Sequence, residues 1–424
     1  MGINGGGMKK KILLKGPVLT RSGYGEQTRF ALRALRSRED LYDIYIQPLQ
    51  WGRTSWLSEQ SEERQFIDSC VSKTIQLIQQ GGKFDMSLQV TIPNEFENIA
   101  NVNIGYTAGI ETTIVAPEWL QKTNEVVDSL IVVSSFSAVA FKETRYAGEV
   151  NGQPVNLLLE KPIDYVNYAV KDYEDVQPLE LDLDYDINFL SVAQWGPRKN
   201  MDATVRWFIE EFHDEEVGLV VKTNMAKNSI LDREAIFMKL KADMANLYPD
   251  KKCKLYLLHG DMTEAEMHSL YKNPKIKASI SFAHGEGFGL PLFEAAYSGL
   301  PIICTGWSGQ LDFLVDENGR DFFYNVAFDI RKVPEHVLWE GVIVKDAMWA
   351  FPREQSAKEQ MRLCYNDILS GKKMLSADYA AQLKQRFSEE KMYEKFVNLI
   401  ESQAPAENVV NDMDEIERLF AEAL

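Results

Sequence analysis

The chain has 424 residues, a formal net charge of -17, 45% hydrophobic residues and four cysteines. That length exceeds one ordinary core and fits two domains of nearly ~200 residues each, with the apolar content of a globular protein. The cysteines Cys70, Cys253, Cys304 and Cys364 are scattered without CxxC spacing, which excludes a disulfide scaffold, and no apolar run approaches the roughly 18 residues of a membrane span; the expectation is a soluble cytoplasmic protein.

The opening MGINGGGMKKKILLKG lacks the apolar region of a signal peptide, Gly6 stands where a myristoylation signal wants Ser or Thr, and residues 1–7 are expected to be a flexible leader. Strand KKKILLKG (9–16), the glycine-bearing loop TRSGYGE and helix EQTRFALRALRSR then make a βα unit. DIYIQPL (43–49), FDMSLQV (84–90), VNIGYT (102–107) and SLIVVSS (129–135) continue the alternation, which predicts a parallel sheet. The acidic run VKDYEDVQPLELDLDYD (170–186) has no amphipathic period and suits a linker; its Asp182, Asp184 and Asp186 fit a solvated charge run better than a metal site. A second set of short apolar strands follows: NFLSVA (188–193), GLVVKTN (218–224), KLYLLHG (254–260), KASISFA (277–283) and LPIICT (300–305). After Pro352 the chain turns helical, and KMYEKFVNLIES (391–402) is amphipathic.

The most informative segment is AHGEGFGLPLFEAAYSGLPIICT. Gly285, Gly287 and Gly289 leave the backbone open, so that amides near Phe288, Gly289 and Leu290 face an anion at the start of a helix opened by Pro291. A diphosphate fits there. Glu294, one turn into the helix, is placed to accept from ribose hydroxyls, and Glu286 precedes the loop. Lys222 interrupts the apolar strand GLVVKTN at its C-terminal end, the ligand edge of open α/β sheets; phosphate binding and a snorkelling lysine both remain open there. His284, two residues before Glu286, is open between a donor contact and a structural bridge.

EGFGLPLFEA resembles the E-x7-E signature of the large retaining glycosyltransferase family with the two-domain GT-B fold, and the sequence is similar in style to members carried by large tailed phages. The resemblance implies an α/β fold of two Rossmann-like, doubly wound domains facing a cleft. Its domains are an acceptor domain (8–168), a linker (169–186), a nucleotide-sugar domain (187–375) and C-terminal helices (376–424) that cross back to the first. By the same resemblance Glu286 contacts the transferred sugar, Glu294 the nucleotide ribose, and Lys199 in SVAQWGPRKNMDATVRWF the donor diphosphate. Gln194 replaces the family's arginine, leaving Arg198 or Lys222 to supply the charge. Gly23 and Gly25 resemble the glycine loop that faces the donor. Many members have a histidine near the cleft, whereas all five histidines here lie in the second half; Glu111 is the nearest polar candidate, open between that place and a helix cap at Thr112 or Thr113, and Arg21 and Tyr24 complete the acceptor candidates.

The implied activity is transfer from a UDP- or GDP-linked sugar to a hydroxyl, with no metal or other cofactor. Residues 1–38 hold nine Lys or Arg against Glu26 alone, and Arg29, Arg33 and Arg36 form a stripe on one helix face. Such a stripe suits DNA phosphates or anionic lipid headgroups, so the acceptor classes open are a hydroxymethylated pyrimidine in phage DNA, a lipid-linked or surface glycan, and a protein or small molecule. An epimerase of this fold and a sugar-nucleotide-binding protein without transfer activity are the alternatives.

Overall fold

A computed structural model of the chain describes residues 9–52, 54–150, 153–171, 173, 176–226, 228–247, 250–372 and 377–403. The expected leader and the last 21 residues lie outside them. Strands β1 (Lys10–Gly16), β2 (Tyr42–Pro48), β3 (Met86–Val90), β4 (Val102–Thr107) and β5 (Ser129–Val132) fall where the apolar runs predict. They are joined by β8 (Ile163–Tyr165) in an all-parallel sheet of order β2-β1-β3-β4-β5-β8. β3 is buried along its whole length, as a strand covered by helices on both faces must be. β6 (Tyr146–Val150) and β7 (Gln153–Leu157) form an antiparallel hairpin outside this sheet. Helix α1 spans Gly23–Arg36, longer at its start than the sequence predicts, because the Ser22 hydroxyl accepts from Gly25 N at 2.9 Å and caps it. The helices α2 (Glu62–Gln79), α3 (Pro117–Val126) and α4 (Ser135–Glu143) complete the first domain.

The second sheet has the order β11-β10-β9-β12-β13-β14, with β9 (Asn188–Val192), β10 (Gly218–Lys222), β11 (Lys254–Leu258), β12 (Ile276–Ser281), β13 (Ile302–Thr305) and β14 (Tyr324–Val326) all parallel. The strand order reverses between β9 and β12, and the loops leaving these two strands diverge there to open a crevice. An antiparallel pair, β15 (Phe328–Lys332) and β16 (Met348–Pro352), lies outside the sheet. Around it lie α5 (Met201–Glu211), α6 (Ile230–Leu247), α7 (Glu264–Tyr271), α8 (Leu290–Tyr297), α9 (Leu311–Leu314), α10 (Glu354–Leu369), α11 (Ala377–Arg386) and α12 (Glu389–Glu401).

α12 lies on the first domain. Its Phe396 ring sits 5.4 Å from Phe30 and 4.9 Å from Tyr106, and Glu401 accepts from Tyr42 Oη and Lys10 Nζ, each at 2.6 Å. One buried apolar cluster runs through both domains by way of Tyr168, Phe288 and Phe293. The acidic segment contains no helix or strand among its described residues. It clings to the second domain: Leu179 N donates to Ser269 Oγ, and Asp184 pairs with Lys254 at 2.8 Å and accepts from Tyr256. No helix among the described residues is long and apolar enough to cross a membrane.

Candidate active site

The C-terminal ends of the strands of both sheets face a common cavity of about 660 Å³. Its second-domain wall is built at the crevice between β9 and β12. After β9 a short 3-10 turn, Pro197–Lys199, ends at Asn200 with φ 52°, a left-handed conformation that asparagine tolerates. His284 N donates to Arg198 O at 2.8 Å and Asn200 Nδ2 to Phe282 O at 3.2 Å, which stitches this turn to the loop after β12.

The stitching brings Lys199 Nζ to 2.5 Å from Glu286 Oε1 and Arg198 Nη1 to 3.2 Å from Oε2. Arg198 also donates to Gly285 O at 2.7 Å and reaches Glu111 of the first domain at 3.2 Å. Glu286 is only 7% exposed. Burial alone would raise its carboxyl; Lys199 first and Arg198 second more than offset this and hold it below the usual carboxylate value. Burial, helped by Arg198, lowers the Lys199 ammonium despite the pull of Glu286. The cluster is a charge-balanced set of two cations and two carboxylates spanning both domains.

Gly289 adopts φ 93° at the start of α8, and among the described residues nothing accepts from the amides of Gly287, Phe288, Gly289 and Leu290. These four orphan donors at a helix N-terminus, beside two cations, form an anion-binding corner. The glycines at 285 and 287 serve a further purpose beside the one expected. A Cβ at Gly285 would lie 2.3 Å from Glu111 O and one at Gly287 2.7 Å from Ala108 O, so both permit backbone contact between domains. The Ser134 hydroxyl donates to Gly287 O at 2.5 Å in the same seam. The Phe288 ring is buried against Tyr168, Phe293 and Phe313, so only its backbone is offered to the cavity.

Glu294 also lines the cavity and accepts from Tyr271 Oη at 3.0 Å. Burial is the main cause that lifts its carboxyl to about 7; Lys171 and Tyr271 oppose the rise, while Glu26 and Glu264 add to it. Lys222 lines the cavity too, its Nζ donating to Gly260 O at 2.6 Å. Gln194 carries no charge and donates to Met225 O at 2.8 Å, so the cationic role opposite Glu286 falls to Arg198 and Lys199.

Two expected donor contacts are corrected. His284 does not line the cavity: its ring lies 5.4 Å from Trp349 at an interplanar angle of 11°, and Nδ1 pairs with Ala350 O at 2.8 Å, which turns it into the bridge between β12 and β16. Gly25 does not line it either, because its α-carbon packs against Thr20, where a Cβ would meet the carbonyl oxygen at 2.0 Å; Gly23 lines the wall instead.

On the first-domain wall Arg21 donates to Met262 O at 2.9 Å across the cleft and pairs with Glu59. Tyr24 Oη shares a 2.7 Å hydrogen bond with Thr107 Oγ1 and accepts from Ala108 N at 3.3 Å. The arginine stripe of α1 is not free surface. Arg29 is buried and donates to the carbonyls of Val18 and Thr20; Arg33 grips Glu63 at 2.6 Å and Glu26 at 3.0 Å; Arg36 lies over the Phe66 ring. The stripe's expected role as an open polyanion contact is therefore corrected, since Glu26 on the same helix and Glu62, Glu63 and Glu264 from other helices neutralise it. Sequence reasoning missed Trp51, Lys171 and Tyr271. Of these only Lys171, a cation inside an acidic run, carried any signal; its ammonium bridges Glu26 at 2.5 Å and Glu264 at 2.8 Å.

No protein-family model matches the sequence, and no curated protein does. The fold has clear relatives among solved structures. HepE of Anabaena, solved in complex with UDP and glucose, is similar over 93% of this chain and 100% of its own at a TM-score of 0.59 and 11% identity. A glycosyltransferase from Rickettsia africae gives 0.58 at 14% identity over 93% and 98%, and the sucrose-phosphate synthase of Thermosynechococcus elongatus 0.59 at 10% over 93% and 99%. The likeness establishes the GT-B fold, two doubly wound domains closing on one cleft.

Proposed function

We propose that the chain is a retaining, metal-independent glycosyltransferase that moves a sugar from a nucleoside-diphosphate sugar to a hydroxyl acceptor. The observation that carries this reading is the meeting of Glu286, Lys199, Arg198 and Glu294 on one interdomain cavity, beside the unpaired amides of residues 287–290. A diphosphate at those amides lies within the field of both cations, and Glu294 is positioned to accept from ribose hydroxyls. UDP-sugars are the first donors to test, because HepE is solved with UDP-glucose.

In the step, the acceptor oxygen bonds the anomeric carbon as the bond from that carbon to the phosphate oxygen breaks. The electron pair leaves with the nucleoside diphosphate, and the departing phosphate oxygen takes the acceptor's proton. Charge thus grows on the diphosphate, where Arg198, Lys199 and the amides at the start of α8 act as preorganised donors. Glu286, held ionised by its two cations, accepts hydrogen bonds from hydroxyls of the transferred sugar. The two-domain seam excludes water that would otherwise hydrolyse the donor.

The test is calorimetric titration with UDP, GDP and their glucose conjugates, followed by turnover with acceptors in chelator and NMR of the product anomer. Binding of a nucleoside diphosphate and a product with the donor's configuration support the reading. Binding of none, activity abolished by chelator, or conversion of the free donor without acceptor each count against it.

A further inference from the structure

We infer that Ser308, which does not line the cavity, is a positioning residue for Glu286: its hydroxyl, carried on a left-handed backbone, fixes where the carboxylate stands against the transferred sugar. The inference rests on the transferase reading and adds a residue to the same site.

Among the described residues only two that are not glycine have a positive φ, Asn200 at 52° and Ser308 at 84°. One directly follows Lys199, and the other lies against Glu286. Asparagine tolerates this conformation; serine adopts it at a cost in backbone strain, which persists only where the surroundings impose it. They do so here. Ser308 is 3% exposed in the loop between β13 and α9, and the first domain holds that loop on both sides of it: the Trp307 ring lies 4.7 Å from Phe136, and Asp312 accepts from Ser135 N at 2.9 Å.

The hydrogen bonds account for the strain. Gln310 Nε2 donates to Thr305 O at 3.0 Å and to Trp307 O at 2.6 Å, so both hydrogens of the amide are spent and its oxygen turns to Ser308. Ser308 Oγ gives its single proton to Gln310 Oε1 at 2.8 Å, which leaves a lone pair to accept from Glu286 N at 2.9 Å. Gly309 N then donates to Glu286 O at 3.0 Å. Two consecutive residues thus grip both backbone polar groups of Glu286, at an approach so close that a Cβ at Gly309 would lie 2.0 Å from Gly287 O.

This grip is independent of the cations. Lys199 and Arg198 hold Glu286 by its carboxylate, but in the proposed step both also serve the diphosphate, and as charge grows there their pull on the carboxylate weakens. Ser308 holds the same residue by its backbone, within a buried network whose members are all satisfied, and so keeps the carboxylate on the sugar hydroxyls throughout.

The experiment is calorimetric titration of the full-length protein with UDP, UDP-glucose, GDP and GDP-glucose, together with thermal melts, for the wild type, S308A, S308G and S308A in an E286A background. S308A removes the hydroxyl and keeps the strain, whereas S308G removes both, so S308G is expected to melt above S308A. Both should nevertheless weaken the sugar nucleotide by about fivefold and leave the free nucleoside diphosphate unchanged. In the E286A background the serine substitution should add less than about twofold, because no carboxylate is left to place. Equal weakening of UDP and UDP-glucose, a loss in S308A that S308G restores, or a full further loss in the E286A background each overturns the proposal and leaves the transferase reading standing. Should an alanine variant fail to fold, S308G alone decides: selective weakening of the sugar nucleotide supports the proposal, and any other result overturns it. A wild-type protein that binds none of the four refutes the transferase reading and this proposal with it.

Discussion

Lys199 and Glu286 meet at 2.5 Å from loops 87 residues apart in the chain, one after β9 and one after β12, at the point where the sheet reverses its strand order. The pair does two things at once. It holds a carboxylate ionised in a nearly water-free position, and it leaves an ammonium beside the orphan amides of α8. Removing the carboxylate is expected to separate these roles. E286Q should lower turnover by about 10²- to 10³-fold while UDP affinity changes little, because the amides and both cations remain. K199M should instead raise the dissociation constant for UDP, since it removes charge next to the diphosphate. Thermal melts of E286Q, K199M and the double variant should show a coupling of ~1–3 kcal/mol between the two sites. Additive effects would mean that the contact is not energetically real.

Glu294 supplies a pH dependence of defined sign. Its carboxyl titrates at about 7 in the folded chain against an ordinary 4.5, so the native state holds a proton that the unfolded chain has released between those values. Its contribution to stability is full below pH 4.5 and is lost as pH rises through 7, by at most ~3 kcal/mol. Binding runs the other way, because only the ionised carboxylate accepts from both ribose hydroxyls. UDP-glucose, which has no titrating terminal phosphate, should bind about tenfold tighter at pH 8 than at pH 6, and E294Q should flatten both profiles. A wild-type profile identical to that of E294Q would refute the assignment.

The elements that carry this chemistry were legible because they combine a short apolar run with a glycine-rich turn. β9, β12 and the loop from His284 to Leu290 stand out locally, Glu286 and Glu294 sit in the glycine pattern around that loop, and Lys199 enters through the family resemblance. The edge strands β8 and β14 are three residues each, IDY and YNV, too short and too polar to be seen. What escaped entirely was long-range. Nothing near His284 announces that Ala350, 66 residues away, takes its ring nitrogen. Nothing near Arg33 says that Glu63 and Glu264 will face it from other helices. A helix-face pattern reports which side chains lie together on their own helix and is silent about charges arriving from elsewhere.

Lys171 provides a second handle on Glu294. It sits between Glu26 and Glu264, and among the opposing influences it is the strongest that keeps the Glu294 carboxyl from rising further. K171M should therefore move the midpoint of the UDP-glucose binding profile to higher pH than in the wild-type protein. The two proteins should differ most near neutrality and converge in alkaline solution, where Glu294 is ionised in both. Lowered affinity at every pH would assign Lys171 a direct ligand contact instead.

The seam between the domains closes over Gly285. At Gly285 an added methyl carbon would come within 2.3 Å of the carbonyl oxygen of Glu111, a backbone atom that cannot swing aside. Gly285 has no positive φ, so alanine is not excluded by its own conformation; the tightest clash is with the other domain, and the Trp307 ring of its own domain, at 2.9 Å, is a side chain that can give way. G285A should thus fold, bind UDP with nearly wild-type affinity through the second domain, and fail to close. Three consequences follow: turnover falls by about 10²-fold, the radius of gyration in the presence of UDP exceeds the wild-type value, and hydrolysis of the donor by water rises relative to transfer. G289A makes the contrast. Its φ of 93° strains any side chain, whereas its nearest neighbours outside the loop lie at 3.4 Å or beyond, so it should lower the melting temperature by an amount equivalent to ~1–2 kcal/mol without opening the cleft. If G285A and G289A behaved alike, the glycine at 285 would be serving local backbone geometry, and contact between the domains would not be the reason it is there.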